Sequence, residues 1–267
     1  MKVGTGEVRA PEAADWALAR GRPTWTTPEL AQLLGVPHDQ VRRRLHAPAG
    51  RGEWVTPIQG LWIAVPPEFR TWGAPPGIEI VDAMMGHLNI NYYVGWLTAA
   101  SRHGAAHQAP QVFQVAVNRH VRNRTVGRTR FDFAQRSVDH IPVIEQPTRS
   151  GTARISTVAA TMLDIAADMP RAGGPNNAAT VIIELSEHDQ FDTTELVHLA
   201  GRFPAAAARR VGFILDHFAG RDDLHELSDF ARSAAHSPSR LSATGVTSGP
   251  VDSDWMLYIN RDLEPDV

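Results

Sequence analysis

The sequence predicts an α+β protein with a small N-terminal domain and a larger second domain of mixed α/β structure. A helix-turn-helix pattern over residues 27–45 is followed directly by a strand pair over 54–65, and helical and strand patterns then alternate over 78–267. Residues 66–77 are dense in proline, which breaks regular structure. We therefore predict domains at 1–68 and 78–267.

The first three helices have recognisable beginnings and ends. Residues 11–20 are rich in alanine and predict the first helix. Thr26 or Thr27 can cap the second helix, which ends at Gly35, a residue suited to the left-handed conformation of a helix end. The third helix is predicted over 37–46.

Residues 54–65 are rich in Trp, Val and Ile and contain a Gln59-Gly60 turn, which predicts a two-stranded hairpin. A helix, a tight turn, a basic helix and a hairpin form the order of a winged helix-turn-helix. In that fold the second helix of the motif enters the major groove of DNA.

The second domain is predicted to contain both helices and strands. Helices are predicted at 80–88, 92–103, 156–168, 178–187, 192–203 and 205–218. Strands are predicted at 112–117, 130–134, 141–144 and 255–260, with a strand at 181–183 as the alternative to helix and a loop over 237–254.

Composition restricts the classes of function. The net charge of −3 means that any nucleic-acid binding rests on local positive patches. The absence of cysteine excludes disulfides and thiolate metal sites. No apolar run approaches the roughly 20 residues of a membrane span, and the N-terminus lacks the apolar core of a signal peptide. We therefore predict a cytoplasmic protein with no membrane partner.

Helical geometry identifies the outward face of the third helix. Val41 and Leu45, four residues apart, share the buried face. Gln40, Arg42 and Arg43 then face outwards or lie on the flanks. Since arginine pairs with guanine and glutamine with adenine through two hydrogen bonds each, these three side chains are predicted to contact bases.

The predicted DNA-binding set also includes Arg44 and Arg51 as phosphate contacts, together with Thr27. A solvated helix face would show the same pattern and is the alternative. Asp39 opposes phosphate binding unless its carboxylate accepts from a cytosine amino group.

Residues 119–136, the basic segment, hold six arginines against one acid, Asp132. Arg122 and Arg124 are two residues apart, so on an extended backbone both side chains point to the same side. The segment predicts a second DNA contact or a docking surface for an acidic partner, with a solvated surface as the alternative. The predicted contacts are Arg119, Arg122, Arg124 and Arg128.

Several motifs occur in a specific order along the chain. They are Thr-Pro-Glu-Leu-Ala-Gln-Leu-Leu-Gly-Val (27–36), Val-Arg-Arg-Arg-Leu (41–45), Gly-Leu-Trp-Ile-Ala (60–64), the tyrosine-pair and His-Gly segment 91–104 with Gln108, and the later blocks 155–164 and 208–215. Together they resemble the AbiEi-type antitoxins of bacterial abortive-infection (type IV) toxin–antitoxin systems. One departure is that Ala159 and Ala160 precede Thr161, where family members commonly have a glutamate.

The resemblance implies a DNA-binding autorepressor whose C-terminal domain neutralises a nucleotidyltransferase-type toxin. It implies DNA of the chain's own promoter and the cognate toxin as partners. We expect an inverted-repeat operator and a monomer or weak dimer that pairs on DNA.

Enzyme sites are poorly supported by the sequence. His103 and His107, with His87, suggest zinc, but Gly104 stands where a metalloprotease needs glutamate. We therefore predict no metal and a hydrogen-bonded core role for His103. Asp132 lacks the partner carboxylates of a nucleotidyltransferase, and Ser101 is too generic for a nucleophile. No phosphate-binding glycine loop or dinucleotide fingerprint is present, so we predict no catalysis and no cofactor.

Two alternatives to the autorepressor and antitoxin stay open. The first is a ligand-responsive winged-helix regulator without a toxin partner, whose larger domain binds a small molecule in an apolar pocket. The second is an enzyme with a DNA-binding appendage.

Overall fold

The computed structural model describes residues 8–105, 112–234, 237–244, 246 and 248–266. The structure is α+β, and its contacts group the chain into two compact units. Unit 1 consists of Met1–Tyr93, Gln111–Val138 and Glu145–Arg154, and unit 2 of Val94–Pro110, Asp139–Ile144 and Ile155–Val267. This division differs from the predicted domains at 1–68 and 78–267, because the proline-rich segment 66–77 and the residues that follow it group with the N-terminal part.

The helices and strands within the described residues have the following bounds. The helices are α1 Ala13–Ala19, α2 Thr27–Leu34, α3 Val41–Arg44, α4 His46–Gly50, α5 Gly77–Leu88, α6 Trp96–Arg102, α7 Val158–Ala167, α8 Pro175–Ser186, α9 Thr193–Ala200, α10 Ala205–Ala219 and α11 His225–Ser233. The strands are β1 Thr24–Thr26, β2 Trp54–Ile58, β3 Leu61–Ala64, β4 Tyr92–Val94, β5 Val112–Val117, β6 Arg124–Val126, β7 Thr129–Gln135, β8 Val143–Thr148, β9 Gly151–Ser156, β10 Ser239–Arg240, β11 Val251–Asp252 and β12 Leu257–Tyr258. Short 3₁₀ helices occupy His38–Gln40, Pro67–Trp72 and Met169–Ala172.

The strands form three sheets. The first has the order β1-β3-β2, with both pairs antiparallel. The second, most of whose residues belong to unit 1, has the order β6-β7-β5-β4-β9-β8. In it β5 and β7 run parallel, so that Phe113 stands beside Phe131. The third is a small sheet of order β10-β12-β11 in unit 2.

Helix α2 begins and ends as predicted. Thr26 is the cap: its hydroxyl accepts from the Glu29 backbone, and the Glu29 carboxylate accepts from the Thr26 backbone at 2.7 Å. Partial burial opposes ionisation of Glu29, but the hydrogen bonds from Thr26 and the nearby Arg22 lower its pKa. Gly35 ends the helix with φ of 61°, in the left-handed region.

The third predicted helix is divided into three pieces. A 3₁₀ turn at His38–Gln40 leads into α3, and α4 follows after Leu45, whose φ and ψ are −90° and 3°. Pro48 explains the break, because a proline ring clashes with the carbonyl four residues earlier but is tolerated in a helix's first turn. Val41 and Leu45 are fully buried, as predicted.

The small core around these helices depends on tryptophan. Trp25 and Trp54 are buried with Leu30 and Leu33 in one hydrophobic cluster. The rings of Trp54 and Trp62 meet edge to face with centroids 6.5 Å apart. Since each buried aromatic ring removes much apolar area from water, a few large side chains hold a short segment together.

The predicted helix at 92–103 is wrong in its first part. Tyr92–Val94 form β4, Gly95 is extended with φ of −129°, and α6 begins at Trp96. Aromatic and β-branched residues favour strands, and the neighbouring strands bury both tyrosines.

Other differences concern short elements. The strand predicted at 141–144 lies at 143–148, where it forms an edge of the six-stranded sheet. Residues 181–183 lie within α8, so the strand alternative is wrong. The predicted loop 237–254 contains β10 and β11, and α11, β6 and β9 were not predicted.

Unit 2 is built around α10, which packs against α7 and α8. Its Arg209 and Arg210 are buried and donate to backbone carbonyls. Arg210 binds the carbonyl of Ala166 at 2.7 Å and that of Arg240, and burial lowers its pKa. These arginines attach the segment around Arg240 to the helices. In the described part of the chain, the helices are too short or too polar to cross a membrane.

Candidate nucleic-acid interface

A cleft in unit 1 lies between the basic helix and the β2–β3 hairpin. We call it the wing cleft. One side carries residues of the 3₁₀ turn and α3, and the other carries hairpin residues and the start of α2. Its lining consists of Thr27, His38, Asp39, Arg42, Thr56, Gln59, Gly60 and Trp62. The cleft encloses about 550 Å³.

The start of α2 is attached to the hairpin turn. The Thr27 backbone N–H donates to the carbonyl of Gly60 at 2.9 Å, and the Thr27 hydroxyl donates to the same oxygen. The indole N–H of Trp62 donates to the Thr27 hydroxyl at 3.0 Å. Gly60 has φ of 86°, a conformation that glycine adopts without strain. Thr27, predicted to contact DNA, therefore has its hydroxyl occupied within the protein.

The three predicted base contacts divide into two groups. Arg42 lies in the wing cleft beside Asp39. The guanidinium of Arg43 donates to the Gln40 side-chain oxygen at 3.1 Å, so these two side chains form one exposed unit. A joined arginine and glutamine present donors in a fixed arrangement, which is the geometry that base edges require.

The predicted phosphate contacts have different surroundings. Arg44 is exposed on α3. Arg51 pairs with Glu53 through two hydrogen bonds of 2.7 and 3.1 Å, and its pKa is raised chiefly by that carboxylate. A phosphate would have to displace Glu53 to reach this guanidinium.

The basic segment borders the hairpin within unit 1. The Arg124 guanidinium donates to the Pro57 carbonyl in β2 at 3.1 Å, and partial burial lowers its pKa. His87 of α5 contacts the carbonyl of Gln59 at 3.0 Å. Two groups from outside the hairpin thus hold its turn.

The other arginines of the predicted second contact differ in their partners and in their exposure. Arg119 donates to the carbonyls of Leu88 and Asn89 at the end of α5, where the helix dipole favours a cation. Arg128 lies in the turn between β6 and β7, and its guanidinium carbon is 5.7 Å from the ring centroid of Trp72. Arg122 is exposed. Arg124 is thus bonded to the hairpin while Arg122 is exposed, and contact of both with one partner stays a prediction.

Sequence reasoning missed three residues that line the wing cleft, namely His38, Thr56 and Gln59. All three can donate to phosphate or base oxygens. Gln59 was recognised only as a turn residue. Its position in the hairpin turn was the available signal.

Charge is divided unequally between the two units. Unit 1 has 17 lysines and arginines against 11 acids, a net charge of +6, and unit 2 has 9 against 18, a net charge of −9. The overall charge of −3 conceals this difference. The wing cleft and the basic segment both belong to the positive unit.

Two of the residues weighed for an enzyme site, His103 and Asp132, have partners within the protein. His103 is buried, and its Nε2 lies 2.8 Å from the carbonyl of Ser156, which confirms the hydrogen-bonded core role. No group of three potential metal ligands occurs among the described residues. His107 and Gln108 lie outside them. Asp132 accepts from Asn123 at 2.8 Å.

Comparison with known proteins finds a family model that matches part of the chain and a solved structure of similar fold. Residues 93–217 match the family model described as the AbiEi antitoxin C-terminal domain. The crystal structure of the RV2827C protein from Mycobacterium tuberculosis has a similar fold, with a TM-score of 0.65 and 16% identity over 95% of this chain and 93% of that chain. No curated protein matches the chain. Residues 93–217 of the chain are thus similar to the C-terminal domain of AbiEi antitoxins.

Proposed function

We propose that this chain is an antitoxin and a DNA-binding autorepressor, and that residues 8–65 act as a winged helix-turn-helix. The wing cleft carries the proposal, because it brings Arg42 of the basic helix and Gln59 of the hairpin turn to one surface. In winged helices the recognition helix enters the major groove while the hairpin contacts the adjacent backbone.

The charge of unit 1 supports the same proposal. A surface that releases counterions from DNA needs local positive charge even where the whole chain is acidic. We assign base contacts to Gln40, Arg42 and Arg43, and phosphate contacts to Arg44, Arg122 and Arg128. Arg51 joins them if phosphate displaces Glu53. Thr27, Arg119 and Arg124 position the surface through contacts within the protein.

The match of residues 93–217 to the AbiEi antitoxin domain supports a proposal about the partner and the mode of action. We infer that the AbiEi domain counteracts a cognate nucleotidyltransferase-type toxin of a type IV system, in the cytoplasm and without catalysis. We further infer that the chain is a monomer or weak dimer in solution, and that two copies pair on inverted repeats in its own promoter.

The central experiment measures binding to promoter DNA and toxin neutralisation with the same variants. Arg42→Ala and Arg43→Ala should each weaken promoter binding by about tenfold or more, since a bidentate base contact contributes about 1–3 kcal/mol. Neutralisation, scored as growth during toxin co-expression, should be retained. Arg261→Ala, at an exposed arginine of unit 2 outside the matched residues 93–217, is the control and should change neither.

The opposite pattern would refute the assignment of roles. If both substitutions abolished neutralisation while promoter binding survived, the basic helix would serve the toxin and not DNA. A footprint of one copy on an asymmetric site would refute the inferred pairing on inverted repeats.

A further inference from the structure

Unit 1 contains a second cavity of about 520 Å³, away from the wing cleft. Its apolar lining includes the half-buried Leu18 at the end of α1 and the exposed Pro67, with the almost fully buried Ile63 and Ile80 behind them. Cavities of this size and character are typical of small-molecule sites.

Four prolines form much of the wall. They are Pro23, Pro66, Pro67 and Pro75. Proline lacks a backbone N–H and has a fixed φ, so this wall is stiff and offers few donors. The proline-rich segment predicted to link two domains thus lines a cavity inside one unit. A ligand body in contact with this wall is recognised by shape and apolar area.

Charged groups occur at the rim. Glu68 and Arg149 form an ion pair at 2.7 Å, and Arg149 also lies 5.6 Å from the ring of Phe69. The backbone N–H of Arg149 donates to the Glu79 carboxylate at 2.8 Å. The hydroxyl of Ser150 donates to the Glu79 carbonyl, which fixes the β8–β9 turn over the cavity.

The balance of charge selects the ligand's head group. Two carboxylates, Glu68 and Glu79, face one guanidinium, and Glu68 already occupies that guanidinium. An anionic ligand would have to displace Glu68 and approach Glu79. A cationic donor instead meets Glu79, whose carboxylate can accept about four hydrogen bonds. Charge-assisted bonds of this kind are the strong ones.

We propose that this cavity binds a small organic amine with an apolar ring, the ring lying against Leu18 and Pro67 and the ammonium group on Glu79. The site is separate from the proposed DNA surface, so binding is measured without DNA and does not depend on that function. It also differs from the predicted regulator with a pocket in the larger domain, because its lining belongs to unit 1.

The test uses three probes with one ring system and different heads: tryptamine, indole and indole-3-acetate. Isothermal titration calorimetry of the full chain should show tryptamine binding about tenfold more tightly than indole, as expected for one hydrogen bond to a charged group. Indole-3-acetate should bind more weakly than indole.

Variants locate the binding. Glu79→Gln keeps an acceptor for the Arg149 N–H but removes the charge, and should abolish tryptamine's advantage over indole. Glu53→Gln removes a carboxylate outside the cavity and should preserve the tighter binding of tryptamine relative to indole. Leu18→Trp fills the cavity and should weaken all three probes at least tenfold, whereas Leu34→Trp, at a half-buried position outside the cavity, should leave them unchanged.

Four results would overturn the proposal: equal affinities for the three probes, tightest binding of indole-3-acetate, no binding at millimolar concentrations, or unchanged binding in folded Leu18→Trp. If Leu18→Trp does not fold, Glu79→Gln decides the matter, since an undiminished preference for tryptamine there contradicts the proposed contact.

Discussion

The guanidinium of Arg124 is bonded to the backbone carbonyl of Pro57 at 3.1 Å, and this bond joins the basic segment to the hairpin. An arginine in a positive segment was expected to contact DNA directly. Its half-buried position gives it a different task, which is to hold the hairpin at the edge of the wing cleft.

Salt dependence should separate the two kinds of arginine. We expect Arg124→Ala to weaken promoter binding about three- to tenfold without changing the slope of log Kd against log salt concentration, because no phosphate contact is lost. Arg122→Ala, in the same segment but exposed, should lower that slope by about 1. If both substitutions lowered the slope of log Kd against log salt concentration by the same amount, Arg124 would also contact phosphate.

The Thr27 hydroxyl should contribute to stability as the acceptor for Trp62. Thr27→Val keeps the shape but leaves the buried indole N–H without this acceptor, which costs about 1–3 kcal/mol. Thr27→Ser should retain most of the stability in urea denaturation. Thr56→Val, at an exposed position of the same cleft, is the control. Equal unfolding free energies for Thr27→Val and the parent would exclude this role.

Substitution by alanine should have opposite effects on the stability of the protein at two helical glycines. A Cβ at Gly212 of α10 would lie 1.9 Å from the Trp255 ring, so Gly212→Ala should destabilise the protein by about 1–3 kcal/mol. A Cβ at Gly86 of α5 meets nothing within 4 Å, and Gly86→Ala should stabilise it by about 0.5–1 kcal/mol. Thermal denaturation of both variants measures the contrast. A gain in stability for Gly212→Ala would show that the ring does not occupy this place.

Stability should depend on pH through His103. Burial lowers the pKa of His103 below 6.5, the hydrogen bond to Ser156 opposes this, and His188 adds to it. The folded protein therefore keeps the ring neutral while the unfolded chain takes up a proton as the pH falls through 6.5. This contribution to stability is fully present above that pH and is lost progressively below it.

We expect the parent to lose more unfolding free energy between pH 7.5 and 5.5 than His103→Gln does. His198→Gln, at an exposed position, is the control and should follow the parent. A parent and His103→Gln with parallel pH profiles would contradict the neutral, buried ring.

Local signals explain which parts of the fold could be predicted. The Thr26–Glu29 cap, Gly35 and the buried pair Val41 and Leu45 depend on contacts within a few residues, and the structure confirms them. The division of the third helix depends on Pro48, also a local signal, but its effect on the carbonyl of Arg44 was not considered. β4 could not be separated from α6 because its strand partners are distant in sequence.

The sequence by itself determined the positions of most helices, the hairpin and the exposure of Arg42 and Arg43. Periodicity and turn chemistry act over one or two turns of chain and are visible in a single sequence. Only the tertiary structure decided how Arg124, Thr27 and the prolines of 66–77 are used, since their partners are Pro57, Trp62 and a cavity formed by distant segments. A long polar side chain takes whichever acceptor the fold brings within about 3 Å, and which acceptor that is depends on the whole chain.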